Sequence, residues 1–174
     1  MKYSKKILLI IIFIFLTQTN TFADTPYFLD FKYILNESDA GKKAQNFLKK
    51  KLENGLKSVK QKEKNIQDEE KKIIAQKKII SSEEYKKQVT ALRSKVSSLQ
   101  KERNNLLNDI SKKRTKARNE LLKNLNPIIK DYMKEKKIRM VIDKKSLLLG
   151  DENLNITNDI MSILNKKLKS IKLD

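Results

Sequence analysis

Residues 85–110, YKKQVTALRSKVSSLQKERNNLLNDI, decide the fold because their apolar side chains recur at alternating steps of four and three. This spacing keeps one face of a long helix against a partner helix, as in a coiled coil. The preceding stretch supplies that partner, since aliphatic residues return there every seven positions: Leu52, Val59, Ile66, Ile73 and Ile80. The pattern predicts two antiparallel helices in contact along a thin apolar stripe, with Arg103 as a charged member of the seam.

The connection between the two helices carries its own signal. Ser81 is followed three positions later by Glu84, which fits a capping box at the start of a helix. We therefore expect a hairpin over residues 40–136 with its turn near 81–82, and Ser38 or Asp39 as the cap of its first arm. Asn126–Pro127 predicts a kink near 127, because proline lacks the amide that a helix interior donates. An arm of about 40 residues is about 60 Å long, so the hairpin must project from the rest of the protein.

The N-terminus reads as a targeting signal. Lys2, Lys5 and Lys6 precede an apolar run over residues 7–16, and Thr21-Phe22-Ala23 offers small residues at a cleavage site. We predict a cleaved signal peptide over residues 1–23. An uncleaved membrane anchor is the alternative, but the apolar run is far shorter than the roughly 20 residues that cross a bilayer.

Short strand-like segments flank the hairpin on both sides. Residues 27–31 and 139–143 are aromatic or β-branched, residues 146–149 and 154–156 could form two more short strands, and Ile160, Ile163, Leu164 and Leu168 fall on one face of a terminal helix. The predicted body therefore consists of residues 24–39 and 137–174, which is marginal for one hydrophobic core. Self-association is the simplest way to cover its apolar strands. It would bury Phe28, Phe31, Val141 and Ile142 between copies.

The chain is strongly basic, with a net charge of +19, and the excess lies on the hairpin. Residues 40–136 hold 28 Lys and Arg against 12 Asp and Glu. Such a surface attracts anionic partners: nucleic acid, anionic lipid or acidic protein chains. Export and the lack of a base-reading module argue against nucleic acid. The preference for Lys over Arg, 35 to five, is also what an AT-rich genome would produce without a binding role.

The composition argues against an enzyme. The chain has no His and no Cys, which removes the commonest general base, the thiolate nucleophile and the soft metal ligands. Three glycines in the whole chain leave no phosphate-binding glycine-rich loop. We expect no catalytic residues, no cofactor and no metal.

Taken together, these segments resemble the Skp/OmpH family of bacterial periplasmic chaperones. The likeness is carried by residues 33–38 (YILNES), 40–44 (AGKKA), 125–129 (LNPII), 140–145 (MVIDKK) and 154–160 (LNITNDI), which occur in the expected order. One departure is that Lys136-Lys137-Ile138 lacks the glycine often found just before the second strand of the family. The hairpin is too variable to align residue by residue.

The resemblance implies an α+β fold, predominantly α, in which a long antiparallel coiled-coil hairpin projects from a small β-containing body completed by trimerisation. It also implies an ATP-independent periplasmic holdase that binds unfolded outer-membrane proteins in a cavity between the hairpins of a homotrimer. On that reading, the basic cluster Lys86, Lys87, Arg93 and Lys95 would capture acidic clients electrostatically. The alternative is an exported coiled-coil structural or envelope-tethering protein whose basic arms bind an anionic membrane surface.

Overall fold

The structure, a computed structural model, describes residues 25–173, so the predicted signal peptide over residues 1–23 lies outside the described residues. Two strands, four α-helices and two 3₁₀ turns follow one another in the described part of the chain. Long helices dominate, and the two strands form one small sheet. The predicted α+β fold with mostly helical structure is therefore confirmed.

Two helices form the hairpin: α2 over Asp39–Gln76 and α3 over Ser82–Glu135. Ser38 caps α2 by accepting a hydrogen bond from the amide of Gly41 at 3.2 Å. Ser81 caps α3 in the same way, accepting from the amide of Glu84 at 3.2 Å. Both predicted caps are confirmed. They satisfy amides that have no partner within the first turn of a helix.

The predicted apolar seam is buried only in part, since its member Val96 is 51% exposed. Val59 and Ile73 are buried on α2, and Leu92, Leu99 and Ile110 are buried on α3. The charged seam residue Arg103 faces Glu63 across the arms at 4.0 Å. Gly55 lies where the helices approach closely, because a Cβ atom there would be 2.5 Å from Leu106 Cδ2. The arms are therefore held by a narrow line of contacts with ion pairs at its edges.

Helix α3 continues through Pro127 to Glu135, so Asn126–Pro127 does not end the helix. The proline side of α3 is deeply buried, with Leu125 fully covered and Ile128 2% exposed. Packing of this face against the body offsets the loss of one helical hydrogen bond. The kink near 127 stays a prediction.

The body joins the two ends of the chain. Strand β1, Tyr27–Leu29, pairs in parallel with β2, Val141–Asp143, and Tyr27 lies opposite Val141. The other edge of β1 contacts Asn155 through an isolated bridge, and the amide of Ile156 donates to the carbonyl of Phe28 at 2.9 Å. The two terminal segments therefore close one sheet at the base of the hairpin.

The body differs from the sequence-based expectation in three places. The predicted strand at 154–156 is reduced to the isolated bridge at Asn155, because a 3₁₀ turn occupies Glu152–Leu154. The predicted first strand stops at Leu29, and a short helix α1, Phe31–Glu37, follows because Asp30 caps it by accepting from the amide of Tyr33 at 2.7 Å. The predicted strand at 146–149 is not formed. A 3₁₀ turn occupies Lys144–Ser146, and Leu147 is extended but has no strand partner in the described part of the chain.

The main core lies where α1, α3 and the last helix α4, Thr157–Lys167, meet. The predicted inward face of α4 is confirmed, since Ile160 and Leu164 are fully buried. After α4 the chain continues as residues 168–173, called here the C-terminal strap. Leu173 at its end is 3% exposed and packs against Ala44, Leu48, Ile110 and Ala117 of the arms. Within residues 25–173, none of the helices has both the length and the apolar character needed to span a membrane.

Candidate functional site

Two surfaces could carry a function: an apolar face of the body and the charged faces of the hairpin. The described part of the chain holds no cluster of His, Cys, Asp and Glu side chains able to bind a metal. The residues of both surfaces are placed by helix ends and by the open edge of the sheet.

The apolar face of the body surrounds β2. A groove of about 480 Å³ lies beside this strand and is lined by Phe31, Val141 and Ile142 together with Ile129, Met133 and Met140. Phe31, Val141 and Ile142 are each partly exposed. In the part of the chain that the structure describes, β1 is the one strand beside β2, so the other edge of β2 has no ladder partner. An unpaired strand edge next to apolar side chains is a template for another chain.

Phe28, the fourth residue predicted to lie between copies, is placed differently. Its side chain is 3% exposed, with Gly150 beside the ring and the Lys144 ammonium 5.7 Å above it. The protomer already covers this ring. The structure therefore brings Phe31, Val141 and Ile142 together at the open face and keeps Phe28 inside.

Three exposed residues of the body were missed by the sequence reasoning: Met140 is 57% exposed, Leu148 97% and Leu149 89%. The sequence predicts a strand over residues 146–149, which would hide alternate side chains. The exposure of these three residues in a single chain adds apolar area to the body surface. Such area on an isolated chain marks an interaction surface.

The predicted capture cluster lies on the outer half of α3. Lys86, Lys87, Arg93 and Lys95 are all exposed, but they are not equivalent. Lys95 donates to the Glu69 carboxylate at 2.6 Å across the arms, so its charge is already paired. Arg93 borders a shallow groove of about 380 Å³ floored by Leu92, Ile73 and Val96. Lys86, Lys87 and Arg93 therefore remain as the accessible positive charges of the cluster.

Further ion pairs tie the arms together nearer the body. Lys51 bonds to Asp109 at 2.9 Å, and this hydrogen bond holds the pKa of the Asp109 carboxyl below its usual range, while burial acts in the opposite direction. Lys62 pairs with Glu102 at 2.6 Å. Exposed pairs of this kind add little stability each, but several in a row align the two helices.

Between the buried seam positions, large apolar side chains reach solvent along the arms. Ile74 is 59% exposed, Ile79 at the tip 83% and Val96 51%. These residues lie among Lys side chains, so the arms present apolar patches of one or two residues in a basic surface. Such a surface suits many weak contacts with an extended chain better than one tight site.

A family model and a solved structure match this arrangement of helices and strands. A family model described as Outer membrane protein (OmpH-like) matches residues 27–164, which include both strands and both arms. The crystal structure of an OmpH-like protein from Caulobacter crescentus, assigned as an outer membrane chaperone, shares the fold with a TM-score of 0.80 at 18% identity. The alignment covers 90% of this chain and 94% of that chain. No curated protein matches this chain. The C-terminal strap lies outside the matched residues.

Proposed function

Because this chain belongs to the OmpH-like family of outer membrane proteins, we propose that it is an ATP-independent periplasmic holdase that binds unfolded outer-membrane proteins and prevents their aggregation. The observation that carries this proposal is the hairpin surface. Two long arms touch along a narrow seam and leave isolated apolar residues exposed in a basic surface. That surface offers an unfolded chain many weak contacts without a fixed sequence requirement.

The charge distribution supports separate roles for electrostatic attraction and apolar contacts in client binding. Long-range attraction by the Lys-rich arms would speed the encounter with an acidic client, while short apolar contacts would retain it. Exposed charges are screened beyond about 10 Å at 0.1 M salt, whereas apolar burial is not. Added salt should therefore slow capture more than it speeds release.

The body supports assembly as a homotrimer, as the family resemblance implies. Its open β2 edge and the groove formed by Phe31, Val141 and Ile142 are the surfaces that a second copy would cover. Closing such a surface in a ring would place three hairpins on one side of a common body. The space between them would hold the client.

The first test is aggregation of a denatured outer-membrane barrel protein diluted out of urea, followed by light scattering without nucleotide. The mature protein should keep the barrel soluble. Replacing Lys86, Lys87 and Arg93 with Glu should slow capture of an acidic barrel in stopped-flow measurements. Lys95 is left unchanged in this variant, because Glu there would face Glu69.

The matched control reverses the same amount of charge on the body, at the exposed residues Lys166, Lys167 and Lys172. Capture by this control should stay close to that of the unchanged protein. The proposal fails if the barrel aggregates equally fast with and without the protein. If the protein instead binds anionic vesicles and leaves aggregation unchanged, the envelope-tethering alternative replaces it.

A further inference from the structure

A second groove lies at the root of the hairpin, away from β2. It has a volume of about 610 Å³ and runs between α2 and α3 beside α1. Its floor is apolar and is formed by Leu35, Leu48, Ile110 and Leu121. The groove exists because Ala44 and Ala117 stand where larger side chains would fill the space between the helices. The C-terminal strap packs on the same alanines and does not line this groove.

One wall of the groove carries two arginines, Arg114 and Arg118. They are exposed and stand one helical turn apart, and neither forms an ion pair with a carboxylate anywhere in residues 25–173. Like charges at this spacing destabilise a helix. Elsewhere on the arms, cations at the seam have carboxylate partners: Lys51 with Asp109, Lys62 with Glu102, Lys95 with Glu69 and Arg103 with Glu63. The pair therefore has charge available for an external anion.

The identity of these residues adds to this argument. The chain has five Arg among 40 basic residues, and two of the five face this one groove. A guanidinium grips a carboxylate with two parallel hydrogen bonds, whereas an ammonium acts as a point charge. Two guanidinium groups beside an apolar floor therefore fit a ligand that is largely apolar and carries carboxylates.

The opposite wall carries side-chain amides. Asn36, Gln45 and Asn46 line it, and Gln45 Nε2 donates to Asn36 Oδ1 at 2.9 Å. Amides both donate and accept hydrogen bonds, so this wall matches the peptide groups of an extended chain. The phosphate of a lipid headgroup could only accept from it.

The dimensions of the groove also favour a peptide over a lipid. Along α2 it reaches from Gly41 to Leu52, which is about 16 Å at the helical rise. An extended peptide of about five residues has this length. A lipid acyl chain would extend well beyond the apolar floor. The groove therefore fits a short peptide segment better than a lipid.

We infer that this groove binds short acidic and aliphatic segments of unfolded polypeptides, with Arg114 and Arg118 holding the carboxylates and the apolar floor holding the aliphatic side chains. This inference rests on the proposed function and adds a defined site to it. Contacts on the outer arms are weak and general, whereas the root groove selects by charge and side-chain type. Client segments rich in Asp or Glu beside Leu or Val would dwell there.

The direct test uses a fluorescent peptide of about six alternating leucine and aspartate residues, a length that spans the groove, and the complete mature protein. Binding is followed by anisotropy at physiological salt. Replacing Arg114 and Arg118 together with Glu should weaken binding about tenfold or more, because charge-assisted hydrogen bonds are lost. The double Lys variant keeps the charge without the fork and should bind with intermediate affinity. A peptide of alternating leucine and lysine should not bind measurably to the unchanged protein.

The chain offers a closely matched control. Lys112 and Lys116 have the same spacing on the same stretch of α3, are exposed, and do not line the groove. Reversing both to Glu changes the net charge by the same amount. Peptide affinity should then fall by about twofold at most, because distant exposed charges are screened. Equal losses in the two double variants would reduce the effect to general electrostatics and overturn the inference.

Location can be tested independently, since the chain has no cysteine. A photo-crosslinker attached at Asn46→Cys should capture the acidic peptide, and one attached at Lys112→Cys should not. Equal crosslinking at both positions would contradict the groove. A second outcome would also contradict the groove: binding of phosphatidylglycerol vesicles depends on Arg114 and Arg118, while peptide binding does not. That outcome would assign the two arginines to lipid binding.

Aggregation suppression and peptide affinity, measured side by side, distinguish a failure of the proposed function from a failure of the groove. If the unchanged protein does not suppress aggregation of the barrel, the holdase proposal fails, whatever the peptide measurements show. Normal suppression combined with peptide affinity that is indifferent to Arg114 and Arg118 would defeat the groove alone.

Discussion

At the scale of single residues, the end of α3 is held by an unusual backbone conformation at Lys137. Its φ angle is 55°, in the left-handed region. The amide of Ile138 donates to the carbonyl of Met133 at 2.8 Å and the amide of Lys137 to the carbonyl of Lys134 at 3.4 Å, the pairing of a Schellman cap. The left-handed region favours glycine, so Lys137 occupies it at a steric cost.

Replacing Lys137 with Gly should raise the free energy of unfolding by about 1 kcal/mol, because glycine enters the left-handed region without a Cβ clash. Urea unfolding followed by circular dichroism measures the change. Lys136→Gly serves as the control, since φ at that residue is −87° and glycine there should lower stability. Equal effects of the two substitutions would contradict this account of the cap.

Tyr132 makes the stability of the body depend on pH in the alkaline range. Its hydroxyl donates to Asp159 Oδ2 at 2.5 Å, which ties the end of α3 to the start of α4. Burial, followed by the hydrogen bond to Asp159, raises the pKa of Tyr132 to about 12. The folded pKa lies above the unfolded value of about 10, so this contribution to stability is complete below pH of about 10 and is lost as pH rises toward 12.

Tyr132→Phe should lower the free energy of unfolding by about 1 kcal/mol at pH 8, through loss of a hydrogen bond to a charged acceptor. The difference from the unchanged protein should shrink above pH of about 10. Tyr33→Phe, at a ring that is half exposed, is the control and should show no such change with pH. A difference that stays constant up to pH of about 11 would refute the linkage.

At the scale of elements, the sequence predicts the long features well and the short ones poorly. The arms, their caps at Ser38 and Ser81 and the inward face of α4 follow from local spacing, so the structure reproduces them. Helix α1 was missed because Phe31 and Tyr33 favour strands by composition, while the Asp30 cap and contacts with the core favour a helix. The strand at 146–149 needs a neighbouring strand, which local sequence cannot supply.

The candidate surfaces were predictable to a similar extent. The clustering of Phe31, Val141 and Ile142 follows from the two flanking segments of the chain meeting at the base of the hairpin. The burial of Phe28 depends on Gly150, which is distant in sequence. The pairing of Lys95 with Glu69 depends on the register of the two arms. The groove at Arg114 and Arg118 results from two alanines on different helices, and no single stretch reveals it.

The C-terminal strap is an element that short-range patterns did not reveal. Leu173 inserts between the arms, the Lys113 ammonium donates to the Leu173 carbonyl, and Lys169 pairs with Asp39 at 3.0 Å. The strap thereby fastens residues 168–173 to the hairpin root. Its apolar residues are separated by Lys and Ser, which gives no recognisable period.

Replacing Leu173 with Asp should detach the strap, because an unpaired carboxylate would be buried among aliphatic side chains. We expect a loss of about 2 kcal/mol and faster hydrogen exchange near Leu48 and Ile110. Lys172→Asp changes the adjacent, exposed residue and should leave exchange there nearly unchanged. Identical protection in the two variants would show that the strap does not stabilise the root.

At the scale of the whole molecule, the described chain has two projecting arms on a body whose apolar face is uncovered. The open edge of β2, the partly exposed Ile142 and the exposed Leu148 and Leu149 all belong to that body. A monomer would keep this surface in water, whereas a ring of three copies would bury it and bring three hairpins together. Assembly and client binding are therefore coupled in the proposal.

Native mass spectrometry of the mature protein, alone and with a denatured outer-membrane barrel protein, tests this coupling most directly. The account predicts trimers at micromolar concentration, a complex of three chains with one client, and neither species for Ile142→Asp, whose carboxylate would be buried between copies. A folded wild-type monomer, or a client complex formed equally well by monomeric Ile142→Asp, would contradict it.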